Sequence, residues 1–326
     1  MTTETQRIRE FEVRINEEGI RLDEFLAIRI GRMSRSQANA CIKSGSVGIE
    51  PFRNLKPSMK VHVGDKISIT QRLSGDVPMY DALVLLDETE DFWVFDKPAG
   101  MAVHPTANIY HNTVTRYIET QLKAQPYVVH RLDKDTSGVL LVAKNADVVG
   151  ELGALFLSHD VEKEYEAVCI NPRGKFYPGS RIDIDIPLGF AGIVLPRITM
   201  GPGSLNALTH IECTDIHDDL AWLRVKIDTG RQHQIRVHLA MNGTPIVGDK
   251  LYFFGESFYK DFLDGEPTPQ FAPVRHLLHA ASLGLRWHGR DYRWHAPIPE
   301  IMTSVFRSNT ATTWFPTDYA RLYMGD

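Results

Sequence analysis

The chain has 326 residues, 43% of them apolar and 24% charged, with a net charge of −5. That length suits two domains, because single cores stop growing near about 250–300 residues, and the composition is that of an ordinary folded domain. No apolar run approaches the roughly 18 residues of a membrane helix, so no membrane association is expected.

The first residues, "MTTETQRIREFEVRINEEG", are polar and acid-containing, which fits neither a secretory signal nor a transit peptide. A cytoplasmic protein is expected, and residues 1–19 read as an extension. Cys41, Cys169 and Cys213 are far apart and never form CxxC, so neither a disulfide framework nor a thiolate zinc site is expected.

Charge is unevenly spread. Residues 20–69 carry nine Lys and Arg against four Asp and Glu, a local excess of positive charge that points to a polyanion, since binding follows local potential. "RLDEFLAIRI" and "SRSQANACIKSG" read as two short helices, the second with Ser34 and Gln37 in capping-box positions and Gly45 as its stop. "VGI" and "KVHVGDKISIT" alternate apolar residues around Gly64-Asp65, a hairpin signal. Arg32, Arg35 and Lys43 fall on the helical part, either as a solvated face or as phosphate contacts. The run "RLDEFLA…MSRSQANACIKSGSV…VHVGDKISI" resembles the small RNA-binding domain named after ribosomal small-subunit protein S-four. The resemblance assigns residues 20–71 to such a domain and Arg32, Arg35 and Lys43 to RNA contact. This chain has "SVGIEPFRN" where that family usually carries Asn-Gly.

Residues 72–81, "RLSGDVPMYD", read as a linker. Beyond it, "LVLLDETEDFWVFDKPAG" reads as two strands, "TVTRYIETQLKA" as a helix, and "PYVVH" and "GVLLVAK" as strands around the charged "HRLDKDTSG". "DVVGELGALFLSHD" reads as a helix, "KEYEAVCI" and "DLAWLRVKID" as strands, and "RQHQIRVHLAMNG" as a helix stopped by Asn242-Gly243. Strands broken by single helices without a βαβ rhythm favour an α+β domain on a mixed, largely antiparallel sheet, here over residues 82–305, with a tail at 306–326. The long loop of residues 253–273 receives no role.

Asp133 lies between two apolar strands, and a buried carboxylate is costly unless a cation and hydrogen bonds compensate it. Arg231 and Arg236 of "TGRQHQIRVH" are the distant candidates for that partner. On composition alone an ion-paired structural turn explains the stretch as well as a reacting group does. Neither His130, Asp133 and Asp135 nor His233 and His238 have a standard metal-site spacing, "GPGSLN" is not a phosphate loop, and no Ser-His-Asp set is visible.

The successive segments "FDKPAGMAVHP", "HRLDKDTSGVLLVAK", "KEYEAV", "DTGRQHQIRVHLAMNGTPIVGD" and "LLHAASL" resemble the signatures of the RluA-type pseudouridine synthases over about residues 82–299. With the small domain attached, the chain resembles the bacterial large-subunit ribosomal RNA members. The resemblance implies an RNA-uridine isomerase that needs neither metal nor organic cofactor, with RNA as partner and the protein a monomer. It makes Asp133 the carboxylate acting on ribose, Arg236 its partner, and Tyr165 the residue that stacks on uracil. It makes Arg131 the side chain filling the gap left by a flipped-out uridine. Lys97 and Pro98 are expected to line the pocket, and His130, Thr136, Arg231 and His233 to support the loop or meet phosphates. Three other readings stay open at this point: a pseudouridine synthase directed at transfer RNA, a non-catalytic RNA-binding assembly factor, and a nucleoside or glycoside hydrolase using Asp133 with a second carboxylate.

Overall fold

The computed structural model describes residues 5–30, 35–73, 77–106, 109–171, 174–194, 197–253 and 275–308. Arg32, Ser34 and the loop of residues 254–274 lie outside them, as does the chain beyond residue 308. Two compact units form: Met1–Pro78 together with His104–Arg116, and Met79–Val103 together with Tyr117–Asp326. The larger domain expected as continuous from residue 82 therefore has residues 104–116 grouped with the N-terminal unit.

The N-terminal unit holds strand β1 (Thr5–Glu12), helices α1 (Leu22–Ile30) and α2 (Arg35–Lys43), and strands β2 (Val47–Glu50) and β3 (Lys66–Leu73). The strands form an antiparallel sheet in the order β1-β3-β2. Leu22, Phe25 and Leu26 of α1, with Ala38 and Ile42 of α2, bury against Val47, Ile49, Ile67 and Ile69, as apolar spacing of three and four on a helix and of two on a strand requires. Two expectations are corrected here. Residues 1–19 are more than an extension, because β1 pairs with β3 along its whole length and Phe11 and Val13 join the core. The hairpin about Gly64-Asp65 does not form: β1 and β2 occupy both edges of β3, and the residues before the turn instead bridge Arg21 to Lys60.

The larger unit is built on a ten-stranded sheet. Its strands are β4 (Val84–Glu88), β5 (Phe92–Lys97), β6 (Tyr127–Val128), β7 (Ser137–Ala143), β8 (Val161–Ile170) and β9 (Arg181–Asp185), then β12 (Leu208–His217), β13 (Leu220–Ile227), β14 (Leu278–Trp287) and β15 (Arg290–His295). A separate antiparallel ribbon pairs β10 (Leu188–Val194) with β11 (Arg197–Pro202). The main order is β4-β5-β7-β14-β8-β13-β12-β9, with β15 on β14 and β6 on β7. The sheet is thus mixed and largely antiparallel, as expected.

The expected helix at residues 113–124 is α3 (Val114–Tyr117) running into a wider π turn over Ile118–Leu122. Helix α4 (Ala146–Ser158) starts at Asn145, whose side chain accepts the Val148 amide at 2.9 Å, an ordinary N-cap. Helix α5 (Gln234–Met241) begins later than the periodicity predicts, with His233 in the left-handed region at φ +56. Helix α6 (Glu300–Arg307) buries Met302, Val305 and Phe306, so the residues just after 305 complete a helix.

One junction matters for the site. β7 and β14 are the parallel neighbours in the sheet and meet only at Ser137↔His279 and Gly138↔Ala280. On one side Phe92, Val94, Val139 and Leu141 pack with α4. On the other, β8 and β13 cover Ile235 and Leu239 of α5. The "HRLDKDTSG" segment enters β7 at this junction, so Asp133 is held where the two halves come together.

Candidate active site

Asp133 precedes β7 in a turn closed by the Thr136 amide on the Asp133 carbonyl, 3.1 Å. Three further ties fix the turn. The Thr136 hydroxyl pairs with His276 Nε2 at 2.8 Å, the Ser137 hydroxyl with His279 Nδ1 at 2.8 Å, and Arg275 Nη1 donates to the Ser137 hydroxyl at 2.8 Å. Gly138 has φ +114, and a Cβ there would lie 2.1 Å from the Ala280 carbonyl oxygen. Only glycine permits this strand approach.

The Asp133 carboxylate meets Arg236, as one of the two candidates from the sequence. Arg236 Nη1 donates to Asp133 Oδ2 at 2.8 Å. The remaining edge of the guanidinium is taken by Asp249, which accepts from Nε at 2.5 Å and from Nη2 at 2.9 Å, a bidentate geometry that leaves the fork no rotational freedom. Asp249 is fully buried and also accepts the Leu251 and Tyr252 amides, both at 3.0 Å. The Tyr252 ring lies under the guanidinium, 5.0 Å from its carbon. His233 Nε2 stands 3.8 Å from the free Asp133 Oδ1.

Burial works against a charge on Asp133, yet His233, Arg236 and His276 outweigh it and hold the carboxyl well below the usual carboxylate range. Burial pushes the His276 imidazole down to about 4, so near pH 7 the field comes from His233 and from Arg236, which is hydrogen-bonded to the carboxylate. Asp249 is likewise held low: burial opposes its charge and Arg236 overrides burial. One buried cation therefore serves two carboxylates, of which Asp249 is closed off and Asp133 keeps a side chain 21% exposed. An ionised oxygen with no direct hydrogen-bond donor among the described residues faces outward from a dry anchor, which is the electrostatic form of a nucleophile or base.

Tyr165 lies on β8, half-buried against the core below α5. Burial, then the Asp133 charge, raises its phenol above the ordinary range, so it is protonated while Asp133 is ionised. Arg131 is exposed, with no ion pair or hydrogen bond among the described residues. Pro98 is half-buried.

Lys97 departs from expectation. It is fully buried, and its ammonium donates to the carbonyls of Met101, Pro98 and Lys134 at 2.8, 2.9 and 3.1 Å. Burial drives it down to about 7 despite the nearby Asp135 and Asp133. All three donors are spent on backbone, so Lys97 fastens the loop after β5 to the turn after Asp133 and does not reach solvent. Arg231 donates from Nε to the Asn206 carbonyl at 3.0 Å and keeps an exposed side chain. His130 is half-buried support: its Nε2 accepts the Leu141 amide at 3.0 Å and its ring stacks on Phe156.

In the N-terminal unit, Arg35 is exposed and 3.6 Å from Asp23, which Arg21 also pairs. Lys43 is exposed at the end of α2. Arg32 is outside the described residues.

Asp249, Tyr252 and His276 were not singled out in the sequence. The signal for Asp249 and His276 is the one that marked Asp133, a charged or polar residue inside an apolar run, here "PIVGDKLY" and "VRHLLHA".

The family described as RNA pseudouridylate synthase matches residues 91–241, a span containing Asp133, Tyr165 and Arg236. "Ribosomal large subunit pseudouridine synthase D" of Yersinia pestis is 31% identical over 90% of this chain and 92% of its own length. The protein of the same name from Pseudomonas aeruginosa is 32% identical over 86% and 89%. An "Uncharacterized RNA pseudouridine synthase" of Chloroflexus aurantiacus is 33% identical over 88% and 89%. Among solved structures, "Human RNA Pseudouridylate Synthase Domain Containing 4" superposes with a TM-score of 0.54 at 22% identity, covering 69% of this chain and 93% of that one, which speaks to the fold. With relatives of this identity spanning nearly their whole length, the chain belongs to the RNA pseudouridylate synthase family.

Proposed function

We propose that this enzyme converts uridines of large-subunit ribosomal RNA to pseudouridine in the cytoplasm, with Asp133 as the group that acts on the ribose. The observation that carries the reading is the Asp133–Arg236–Asp249 array: a carboxylate kept ionised by a buried cation, with one oxygen left for chemistry. The RNA is inferred from the names of the relatives and from the basic N-terminal unit.

Pseudouridine formation breaks the bond between uracil N1 and ribose C1′, turns the base, and forms a bond from C5 to C1′. C5 loses a proton and N1 gains one, so nothing is consumed. Ionised Asp133 begins this either by attacking C1′ or by taking a ribose proton on a glycal route. Either way its negative charge disappears as the step proceeds. That change matters for Tyr165, because the Asp133 charge is one of the two causes raising its phenol. Tyr165 is thus a protonated stacking surface in the resting enzyme, and loss of the Asp133 charge eases its phenol back toward the ordinary range. Exposed Arg131 has the reach and freedom to occupy the gap in the stack when the uridine swings out.

The test is incubation with ribosomal RNA transcripts followed by mapping of pseudouridine. Modified sites in the wild type that vanish with Asp133→Asn support the reading. Release of free uracil would point to a hydrolase instead, and RNA binding without any modification to an assembly factor.

A further inference from the structure

Four lysine and arginine side chains are buried among the described residues: Lys97, Lys163, Arg236 and Arg275. Three of them are partnered. Lys97 donates to three carbonyls, Arg236 to two carboxylates, and Arg275 to the Ser137 hydroxyl and the Asp135 carbonyl. Lys163 keeps only 9% of its surface, yet its ammonium has no hydrogen bond or ion pair among the described residues. An ammonium has three protons to donate, and burying one without an acceptor or a counter-charge is costly.

Lys163 is on β8, two residues before Tyr165 and so on the same face, about 6.6 Å from it along the strand. That face runs from Val161, in the cluster that packs α4, to Tyr165, against the cluster beneath α5. Two loops of the site surround the lysine. Burial, then the Lys163 charge, holds the His130 imidazole down to about 3, and His130 opens the "HRLD" turn. Burial lowers the pKa of Lys163 itself, and the carboxylate that works against burial is Asp228, which leads into the turn of Arg231. Asp228 does not close on the lysine as an ion pair. Its Oδ2 is 3.3 Å from His210 Nε2, and its side chain stays 57% exposed.

We propose that Lys163 binds a phosphate of the RNA strand beside the uridine that stacks on Tyr165, so that the docked strand completes this buried cation. The inference rests on the reading of the chain as an enzyme acting on RNA. A positive charge with three unused donors calls for an anion rich in acceptor oxygens, which a phosphodiester is and a uracil ring is not. The spacing agrees, because one nucleotide spans the distance from the Tyr165 face to Lys163. A solvated lysine would add only general attraction to the strand. A buried one meets a phosphate at one place and sets the register of the strand over Asp133.

Lys163→Met keeps an unbranched apolar stem and removes the charge. In the free protein its urea midpoint should equal or exceed that of wild type, because no group of the protein pairs with the charge that is lost. A clearly lower midpoint would show that the fold itself uses the ammonium, and it overturns the proposal whether or not the enzyme is active. Binding to a ribosomal RNA transcript should weaken by roughly tenfold, the size of one charge-assisted hydrogen bond. The slope of log affinity against log salt should fall by about 0.7 to 1. An unchanged affinity and slope, with a wild type that binds and modifies the transcript, contradict the contact and leave the function standing. A wild type that does not bind the transcript removes the functional reading and the contact with it. Oligonucleotides carrying one neutral methylphosphonate beside the modified uridine separate a local phosphate from general attraction. At one linkage the substitution should weaken wild-type binding by roughly tenfold and Lys163→Met binding by little. Equal losses in the two proteins at every linkage would place the ammonium off the strand and overturn the proposal.

Discussion

At the scale of single residues, the proposed chemistry depends on an Asp133 that is charged and yet not fully satisfied. A lone carboxylate in this position would take up a proton to escape burial, and one bound bidentately by Arg236 would have no oxygen to offer. Asp249 resolves the conflict by occupying two of the guanidinium donors and leaving Nη1 for Asp133. Replacing Asp249 by Asn removes the buried counter-charge and puts an NH2, which cannot accept, in place of one of the two oxygens that bind the guanidinium. We expect Asp249→Asn to cost about 3 kcal/mol of unfolding free energy, read as a lower urea midpoint, together with a loss of activity. A midpoint like that of wild type would mean that Asp249 does not anchor Arg236. The pairing of Asp133 with Arg236 was legible from the sequence because Asp133 sits between apolar strands and Arg236 holds its place in a recognisable motif. Lys97 was misplaced because sequence shows the charge of a lysine and not the three carbonyls that absorb it.

At the scale of elements, the order of strands and helices in the larger unit was readable from alternation and helical spacing, and the α5 stop at Asn242-Gly243 was correct. Less readable was anything that depends on which edge of a strand is already taken. β1 was invisible as part of a sheet because its partner β3 lies about sixty residues away, and the same distant pairing removed the expected hairpin. The parallel contact of β7 with β14 is equally non-local, yet it fixes where Asp133 sits. Gly138→Ala tests that contact. A Cβ at 2.1 Å from the Ala280 carbonyl and a φ of +114 cannot be relieved by a rotamer change, so the two strands must part. The expected result is a destabilisation of at least about 2 kcal/mol with activity lost even where the fold persists. A fully active, fully stable variant would show that the junction tolerates movement.

At the scale of the whole molecule, acid should unfold the protein earlier than its carboxylates alone would require. Burial pushes His130 down to about 3 and His276 and His279 down to about 4, whereas an unfolded histidine titrates near about 6.5. Between those values the unfolded chain binds protons that the folded chain refuses. Stability is thus full above about pH 6.5 and falls as pH drops toward about 4. Urea midpoints measured across that window should decline steadily, and a flat profile would contradict neutral, buried imidazoles.

The net charge of −5 conceals a basic N-terminal unit. Neutralising exposed Arg35 and Lys43 together, each to Gln, is expected to weaken binding to ribosomal RNA and reduce the slope of log affinity against log salt by about 1 to 2. An unchanged slope would move the docking surface elsewhere.

The central claim is that Asp133 acts directly on ribose, and pseudouridine mapping on a ribosomal RNA transcript tests it most directly. The account predicts pseudouridine at defined sites with the wild-type protein and a rate lower by at least about a thousandfold for folded Asp133→Asn with RNA binding retained. Pseudouridine formed at the wild-type rate by Asp133→Asn would contradict it.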